Sequence, residues 1–379
     1  MDGVSAPAGV DIAAVELRRI ELPLLTPFRS SSVSWTHRDV LLVRVLADGV
    51  EGWGECVAPG DPTYGPEHTA GAHDVTRHHL LPRLFAAGVR HGADVAGALA
   101  GVQGHSMAKA AIEAAVLDAE LRAAGRSLAD HLGATADRVP VGVAVGIERD
   151  LDQLVVTVGR HLEEGYARVK LKVRPGWDVE PCRRLRAELG DGFGLQVDAN
   201  GAYSLDDLDA LRALDELGLL LIEQPFAEHR LLDHAALAEQ LRTPVCLDES
   251  IVDEDVLDDV LRLGAADVVA LKPGRVGGHL AARRMHDRCV SAGVPLWHGG
   301  MLETGIGRAA NLALAALPGF TLPGDISAAA RYWRQDIVTE PAVLEPDGTI
   351  RVPTGPGIGV EVDLDVLDAV TTAVEVHRP

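Results

Sequence analysis

Six polar residues close short apolar runs at almost even intervals along this chain. Lys172, Asp198, Glu223, Asp248, Lys272 and His298 stand 26, 25, 25, 24 and 26 residues apart. The runs that carry or adjoin them are Val141–Gly146, Ala167–Val173, Gly194–Asp198, Leu219–Glu223, Pro244–Asp248, Asp267–Lys272, Val294–Trp297 and 320–322. Amphipathic helical patterns such as Leu151–Glu164, Glu180–Leu189 and His279–Ala292 fill most gaps. Strands that alternate with helices imply a parallel sheet, because a parallel partner is reached only through a long crossover. Eight such runs imply an α/β fold closed into a TIM-type barrel. The C-terminal strand ends of a barrel form one ring, so the spacing predicts six side chains at a single mouth.

The barrel pattern occupies residues 139–325. Residues 1–138 read as a separate α+β domain, with strands over Val10–Leu22, Asp39–Leu46 and Gly52–Val57. A helix is expected over His68–Ala87 and a stronger one from Ser106, as N-cap, to Ala124. Residues 326–379 lose the repeat, turn at Asp347–Gly348 and Pro353–Gly359, and are expected to return to the N-terminal domain. A hydrophobic share of 47% supplies more core than one average domain needs. A net charge of −21 disfavours nucleic acid and anionic membrane as partners. Met1–Val10 carries no basic-then-apolar leader, and no apolar run reaches membrane-spanning length, so a soluble cytoplasmic protein is expected. Cys56, Cys182, Cys246 and Cys289 form no CxxC pair and read as buried free thiols.

Asp198, Glu223 and Asp248 are carboxylates on consecutive strands. Aimed at one point, they repel unless something cationic neutralises them. Hard oxygen donors without thiolate or a histidine cluster select Mg²⁺ or Mn²⁺ over zinc. The alternative is pairing with the neighbouring lysines. Lys170 and Lys172, two apart, share a face, and Lys272 lies one strand beyond Asp248. That order puts an amine on each side of a cation. A small-molecule carboxylate bound between them could lose its α-proton to one amine and regain it from the other, while the cation steadies the enediolate. The basic role needs a neutral amine, which Lys170 and the cation would favour at Lys172. Asn200 shares the face of Asp198 and either orients ligand and substrate or caps a turn. Glu249 is expected to point away from the ion, toward a lysine. Glu303, just beyond the seventh strand, either hydrogen-bonds a substrate oxygen or serves the fold.

Lys170-Leu-Lys172, Asp198-Ala-Asn200, Ile222-Glu-Gln-Pro225, Asp248-Glu-Ser250 and Lys272-Pro-Gly274 resemble the muconate-lactonizing subgroup of the enolase superfamily. Lys272-Pro-Gly-Arg275-Val-Gly-Gly278, Gly299-Gly300-Met301-Leu-Glu303, Gly305-Ile-Gly-Arg-Ala-Ala-Asn311 and Leu322-Pro-Gly-Asp325 narrow the likeness. They resemble the o-succinylbenzoate synthase / N-succinylamino acid (N-acylamino acid) racemase family, as do Trp53-Gly-Glu-Cys56, Gly104-His105 with Met107-Ala-Lys109, and Pro353-Thr-Gly-Pro-Gly357. The resemblance implies a modified (β/α)₇β barrel under an α+β capping domain, Mg²⁺ on Asp198, Glu223 and Asp248, and Lys172 and Lys272 as the acid/base pair. It implies substrate-side or supporting roles for Lys170, Asn200, Glu249, Arg275, Gly300, Met301 and Glu303, and a homo-oligomer, dimer or octamer. Arg275 stands where the branch with racemase activity carries arginine. Two segments depart from the family. Asp325-Ile-Ser-Ala-Ala-Ala-Arg331 lacks several polar side chains, and the Phe28–His37 loop lacks the usual aromatic-glycine pattern. Both would shape substrate choice.

Rival readings remain. A dipeptide epimerase or cycloisomerase of the same subgroup would keep the same lysines. A sugar-acid dehydratase would use His298, but its aspartate partner is missing from strand six, so His298 reads as a pocket wall. A serine hydrolase built on Ser106 lacks the strand that its motif needs. A non-catalytic binding barrel would have no use for the lysine pair.

Overall fold

The computed structural model of the protein describes residues 9–29, 34–47 and 49–379. In its first layer, β1 (Ile12–Arg29) pairs antiparallel with β2 (Ser34–Ala47), and β2 pairs with β3 (Val50–Cys56). The apolar run in β2 is continuous because both faces are covered. Leu41, Val43 and Val45 pack in the capping-domain core, whereas Val40 and Leu42 belong to the larger core around the barrel. The expected loop at 28–37 is largely strand. Phe28 pairs with Trp35 and Arg29 with Ser34, while residues 30–33 lie outside the described residues.

The helix expected over 68–87 divides into α1 (Thr69–Val75), a π-helical turn at Thr76–Leu80, and α2 (Leu81–Ala86). α3 (Gly92–Leu99) and α4 (Ser106–Ala123) follow. Ser106 is not the N-cap. His105, at φ +55°, holds that place, and the Glu67 carboxylate accepts from Met107 N at 3.0 Å and Ala108 N at 3.3 Å. A charged acceptor supplied from another segment takes the amides that a local hydroxyl was expected to satisfy. α5 (Leu128–Leu132) and β4 (Arg138–Pro140) lead into the barrel.

The parallel sheet then runs β5 (Val143–Val145), α6 (Leu151–Glu163), β6 (Arg168–Lys172), α7 (Val179–Leu189), β7 (Gly194–Asp198), α8 (Leu208–Asp215), β8 (Ile222–Glu223), α9 (Leu231–Ala238) and β9 (Val245–Leu247). It continues through α10 (Glu254–Leu263), β10 (Val268–Leu271), α11 (Pro273–Val276), α12 (His279–Ala292), β11 (Leu296–His298) and α13 (Gly305–Ala315). Local signals set the helix ends. Asp253 caps α10 through Val256 N, and Gly264, at φ +62°, ends it without the Cβ penalty of a left-handed residue. The seven strands lie in the order β11-β10-β9-β8-β7-β6-β5. The expected eighth strand forms no ladder. Single parallel bridges join Phe320 to Leu296 and Gly324 to Val141, and so close the ring. The modified (β/α)₇β barrel is thus present, with its last stave joined by single bridges in place of a ladder.

Beyond it lie β12 (Thr349–Arg351), paired with β4, α14 (Leu364–Val370) and β13 (Thr371–His377). β13 adds to the outer side of β1, giving the sheet order β13-β1-β2-β3. The four cysteines are buried and unbridged. No helix among the described residues is long and apolar enough to cross a membrane.

Candidate active site at the barrel mouth

Strand alternation decides which residues enter the barrel. Lys170 and Lys172 face inward from β6, while Val169 and Leu171 pack against the helices. The floor is apolar, made by Leu221, Cys246, Val268, Ala270 and Trp297. Lys170 Nζ sits 4.7 Å above the Trp297 ring. Above this floor a cavity opens, lined by Lys170, Lys172, Asn200, Lys272, Gly300, Met301, Asp325 and a set of apolar side chains.

Lys172 Nζ donates to Asp198 Oδ2 at 2.6 Å and to Asn200 Oδ1 at 2.9 Å. Asn200 Nδ2 in turn donates to Glu249 Oε1 at 2.9 Å. Glu249 therefore reaches its lysine through Asn200. Burial, Asp248 and Asp198 push the Glu249 carboxyl up to about 7. On the opposite side Lys272 Nζ donates to Asp248 Oδ2 at 2.8 Å and to Tyr64 Oη at 2.9 Å. Burial alone would pull this amine down, but Asp248, Glu249 and Glu223 outweigh it and hold Lys272 above its ordinary value. Arg275 donates to Asp248 Oδ1 at 2.6 Å and to the Asp248 carbonyl and Tyr64 Oη. Lys170 is shared between Asp325 Oδ2 at 2.5 Å, Glu223 Oε2 at 3.2 Å and Asp198 Oδ2 at 3.2 Å. Burial pushes Asp198 up, yet Lys172 and Lys170 together hold it well below the usual carboxylate range. Glu223 goes the other way, driven well above that range by burial and by its neighbour Asp198.

Backbone strain gathers here. Asn200 (φ +45°), Gln224 (φ +38°) and Leu302 (φ +57°) are left-handed non-glycine residues at the mouth. Gln224 staples the Asp248–Ser250 segment, accepting from Asp248 N at 2.9 Å and Ser250 N at 3.2 Å.

One expectation needs correction. His298 does not join the ring. It lies in register with Leu271, which packs in the barrel–helix core, and parallel neighbours in register share a face. Its ring meets Phe320 with centroids 6.1 Å apart, and neither ring nitrogen has a hydrogen-bond partner. It is no pocket wall; Gly299 takes the inward position against Lys272. Burial, with His279 and Lys272 nearby, lowers His298 to about 3. A histidine kept neutral in this way stabilises the fold above its unfolded pKa, and that contribution is lost as pH falls below about 6.5. His298→Leu removes the loss. Its melting temperature is expected to gain on the parent chain as pH drops from about 7.5 to about 5, with substrate proton exchange unchanged. A pH-independent difference, or lost exchange, contradicts this placement.

The three carboxylates are divided among the nearby cations. Asp198 and Glu223 share Lys170, whereas Asp248 turns to Lys272 and Arg275. Each buried carboxylate pairs with its nearest cation, since an unpaired buried charge is costly. Glu303 also faces away from the cavity: it accepts from Met301 N at 3.0 Å and Asn311 Nδ2 at 2.9 Å, and so folds the loop that carries Met301.

Comparison with known proteins fits this architecture. Residues 12–133 match the mandelate racemase / muconate lactonizing enzyme N-terminal domain, and residues 153–366 match the enolase C-terminal domain-like family. The chain belongs to the enolase superfamily. It is 54% identical over 362 residues to an N-succinylamino acid racemase of Amycolatopsis, covering 96% of this chain and 98% of the relative. It is 44% identical over 355 residues to an o-succinylbenzoate synthase of Geobacillus kaustophilus, covering 93% and 94%. The crystal structure of an enolase-superfamily protein from Listeria innocua superposes with a TM-score of 0.92 at 37% identity, covering 97% of this chain and 99% of that one. This enolase-superfamily chain is an enzyme, and its branch of the superfamily depends on a divalent metal.

The donor set suits such an ion: the mouth offers carboxylate oxygens, and Glu223 Oε2 is buried without a hydrogen bond although Lys170 stands 3.2 Å away. Phe28, Trp35, Tyr64, Ala144, Leu302 and Tyr332 form most of the apolar wall. Phe28 and Trp35 lie in the segment expected to shape substrate choice and Leu302 in the Gly299–Glu303 motif, whereas Tyr64, Ala144 and Tyr332 were not singled out from the sequence. For Tyr64 the available signal was a lone aromatic in the Gly/Pro-rich stretch Pro59–Pro66. Asp325 lay within a recognised motif, but its role as partner of Lys170 and Arg168 was not legible.

Proposed function

We propose that this enzyme moves the α-proton of an N-succinylated amino acid between two amines, and that it also dehydrates the precursor of o-succinylbenzoate. The observation that carries the reading is the pairing of Lys172 with Asp198 and of Lys272 with Asp248 on opposite sides of one cavity. Asp198, Glu223 and Asp248 would hold Mg²⁺, which supplies positive charge to the substrate carboxylate as the α-carbon becomes electron-rich. Lys172 takes the α-proton on one face. Lys272, held protonated by its carboxylate neighbours, returns a proton on the other face in racemisation, or steadies the anion in dehydration. Phe28, Trp35, Leu302 and Tyr332 exclude water and accept an apolar side chain or aryl ring.

Incubation with a panel of N-succinylamino acids in D₂O tests the proposal. With Mg²⁺, both enantiomers are expected to gain α-deuterium, and chelation is expected to stop the exchange until Mg²⁺ or Mn²⁺ is restored. Absence of deuterium across the panel, with no dehydration turnover, contradicts the proposal.

A further inference from the structure

The two halves of the site are held by different parts of the molecule. The Lys172 half is held within the barrel, by Asp198, Asn200 and Glu249. The Lys272 half is gripped from the capping domain. Glu113, on α4 and 2% exposed, accepts from Leu280 N at 3.0 Å in the first turn of α12. Gly278 precedes that helix at φ +140°, and a Cβ there would stand 2.2 Å from Glu113 Oε1. Gly274, two residues after Lys272, is pressed as closely: its Cβ would lie 2.4 Å from Val57 Cγ2 of the capping domain. The segment from Lys272 to Gly278 is thus clamped by capping-domain atoms.

A second buried carboxylate repeats the arrangement one strand on. Glu55, on β3, accepts from Thr304 N at 3.1 Å, Thr304 Oγ1 at 2.7 Å and Gly307 N at 3.0 Å. These groups form the start of α13. The loop just before it carries Gly300, Met301 and Leu302 into the cavity, and Met301 packs in the capping-domain core. A carboxylate at a helix N-terminus satisfies amides that the helix cannot and meets the positive end of its dipole. Here two such contacts fix the first turns of the helices that flank Lys272 and the Gly300–Leu302 loop.

We propose that Glu113 and Glu55 are positioning residues through which the capping domain sets the Lys272 face of the site, leaving the Lys172 face to the barrel. The consequence for catalysis rests on the two-amine reading above. If opposite enantiomers present their α-protons to opposite amines, loosening these contacts slows one enantiomer more than the other. Misplacing a reacting group by about 1 Å costs on the order of a hundredfold in rate.

The test uses the full chain with Mg²⁺ and the near-isosteric variants Glu113→Gln and Glu55→Gln. Initial α-deuterium exchange is measured separately for each enantiomer of one N-succinylamino acid. The enantiomer that depends on Lys272 is the one whose exchange Lys272→Ala abolishes. Its rate is expected to fall about tenfold or more relative to its mirror image. Equal slowing of both enantiomers, or no slowing, overturns the proposal. Backbone amide exchange on the same variants gives a readout without substrate. Protection is expected to drop over 272–280 in Glu113→Gln and over 299–307 in Glu55→Gln, while 168–200 stays as in the parent. A loss spread over the whole barrel, or none at these segments, overturns it as well. If the parent chain exchanges neither enantiomer, the two-amine reading fails and the amide pattern alone decides whether the capping domain positions this face.

Discussion

Lys172→Ala and Lys272→Ala are each expected to abolish racemisation of an N-succinylamino acid, with rates lower by at least on the order of a thousandfold. Racemisation needs a proton removed on one face and returned on the other, so either amine alone is insufficient. The fold should survive both changes. Without Lys172, Asp198 keeps Lys170 at 3.2 Å, and without Lys272, Asp248 keeps Arg275 at 2.6 Å. Neither buried carboxylate is stranded, which is the usual reason that such a truncation unfolds a protein. Chiral analysis of product and far-UV circular dichroism check the two halves of the claim. Racemisation within tenfold of the parent chain in either variant would remove that lysine from the acid/base pair.

Asp325→Ala should be the most damaging single change to stability away from the proton-transferring amines, costing about 3–5 kcal/mol in denaturant unfolding near neutral pH. Its side chain is 8% exposed and meets two buried cations, Arg168 at 2.6 Å and Lys170 at 2.5 Å. Arg168 has little freedom to move, since its other contacts are the Pro323 carbonyl and the Trp297 ring. Gly142 leaves room for that guanidinium: a Cβ there would lie 2.2 Å from Arg168 Nε. Asp325 also follows directly on Gly324, one of the two bridges that close the barrel. Its removal leaves the buried Arg168 guanidinium without a carboxylate, and Lys170 with only Glu223 and Asp198, at the seam closed by single bridges. Burial works against the Asp325 carboxylate, but Lys170 and Arg168 pull it down to about 2. A carboxyl depressed in the fold contributes stability above its unfolded pKa, and this is lost as pH falls from about 4 through about 2. The stability gap between parent and variant should therefore narrow only in that acid range. A loss below about 1 kcal/mol at neutral pH would show that Arg168 finds another partner.

Each site residue was legible to the degree that a repeating pattern carried it. Lys172, Asp198, Glu223, Asp248 and Lys272 recur at one strand-helix interval, and all five meet at the mouth. His298 continued the count but not the parity. The interval locates a strand end, whereas pairing with β10 sets which face the last residue takes. Ser106 failed in a related way: the sequence offered a local cap, and Glu67 arrived from another segment to do the work. Tyr64, Phe28, Trp35 and Tyr332 come from loops and strand tips outside the repeat, where no periodicity marks them.

The alternation of strand and helix, the ends of several helices, and the stations of the amines and acids were written in the linear chain. Those properties rest on local periodicity and on short-range hydrogen bonding, which a chain carries before it folds. Which carboxylate pairs with which cation, which way His298 turns, and the reach of the capping domain to the helices beside Lys272 emerged with the closed fold. Such choices depend on distances between segments far apart in the chain, and a buried charge takes whichever partner the closed fold brings nearest.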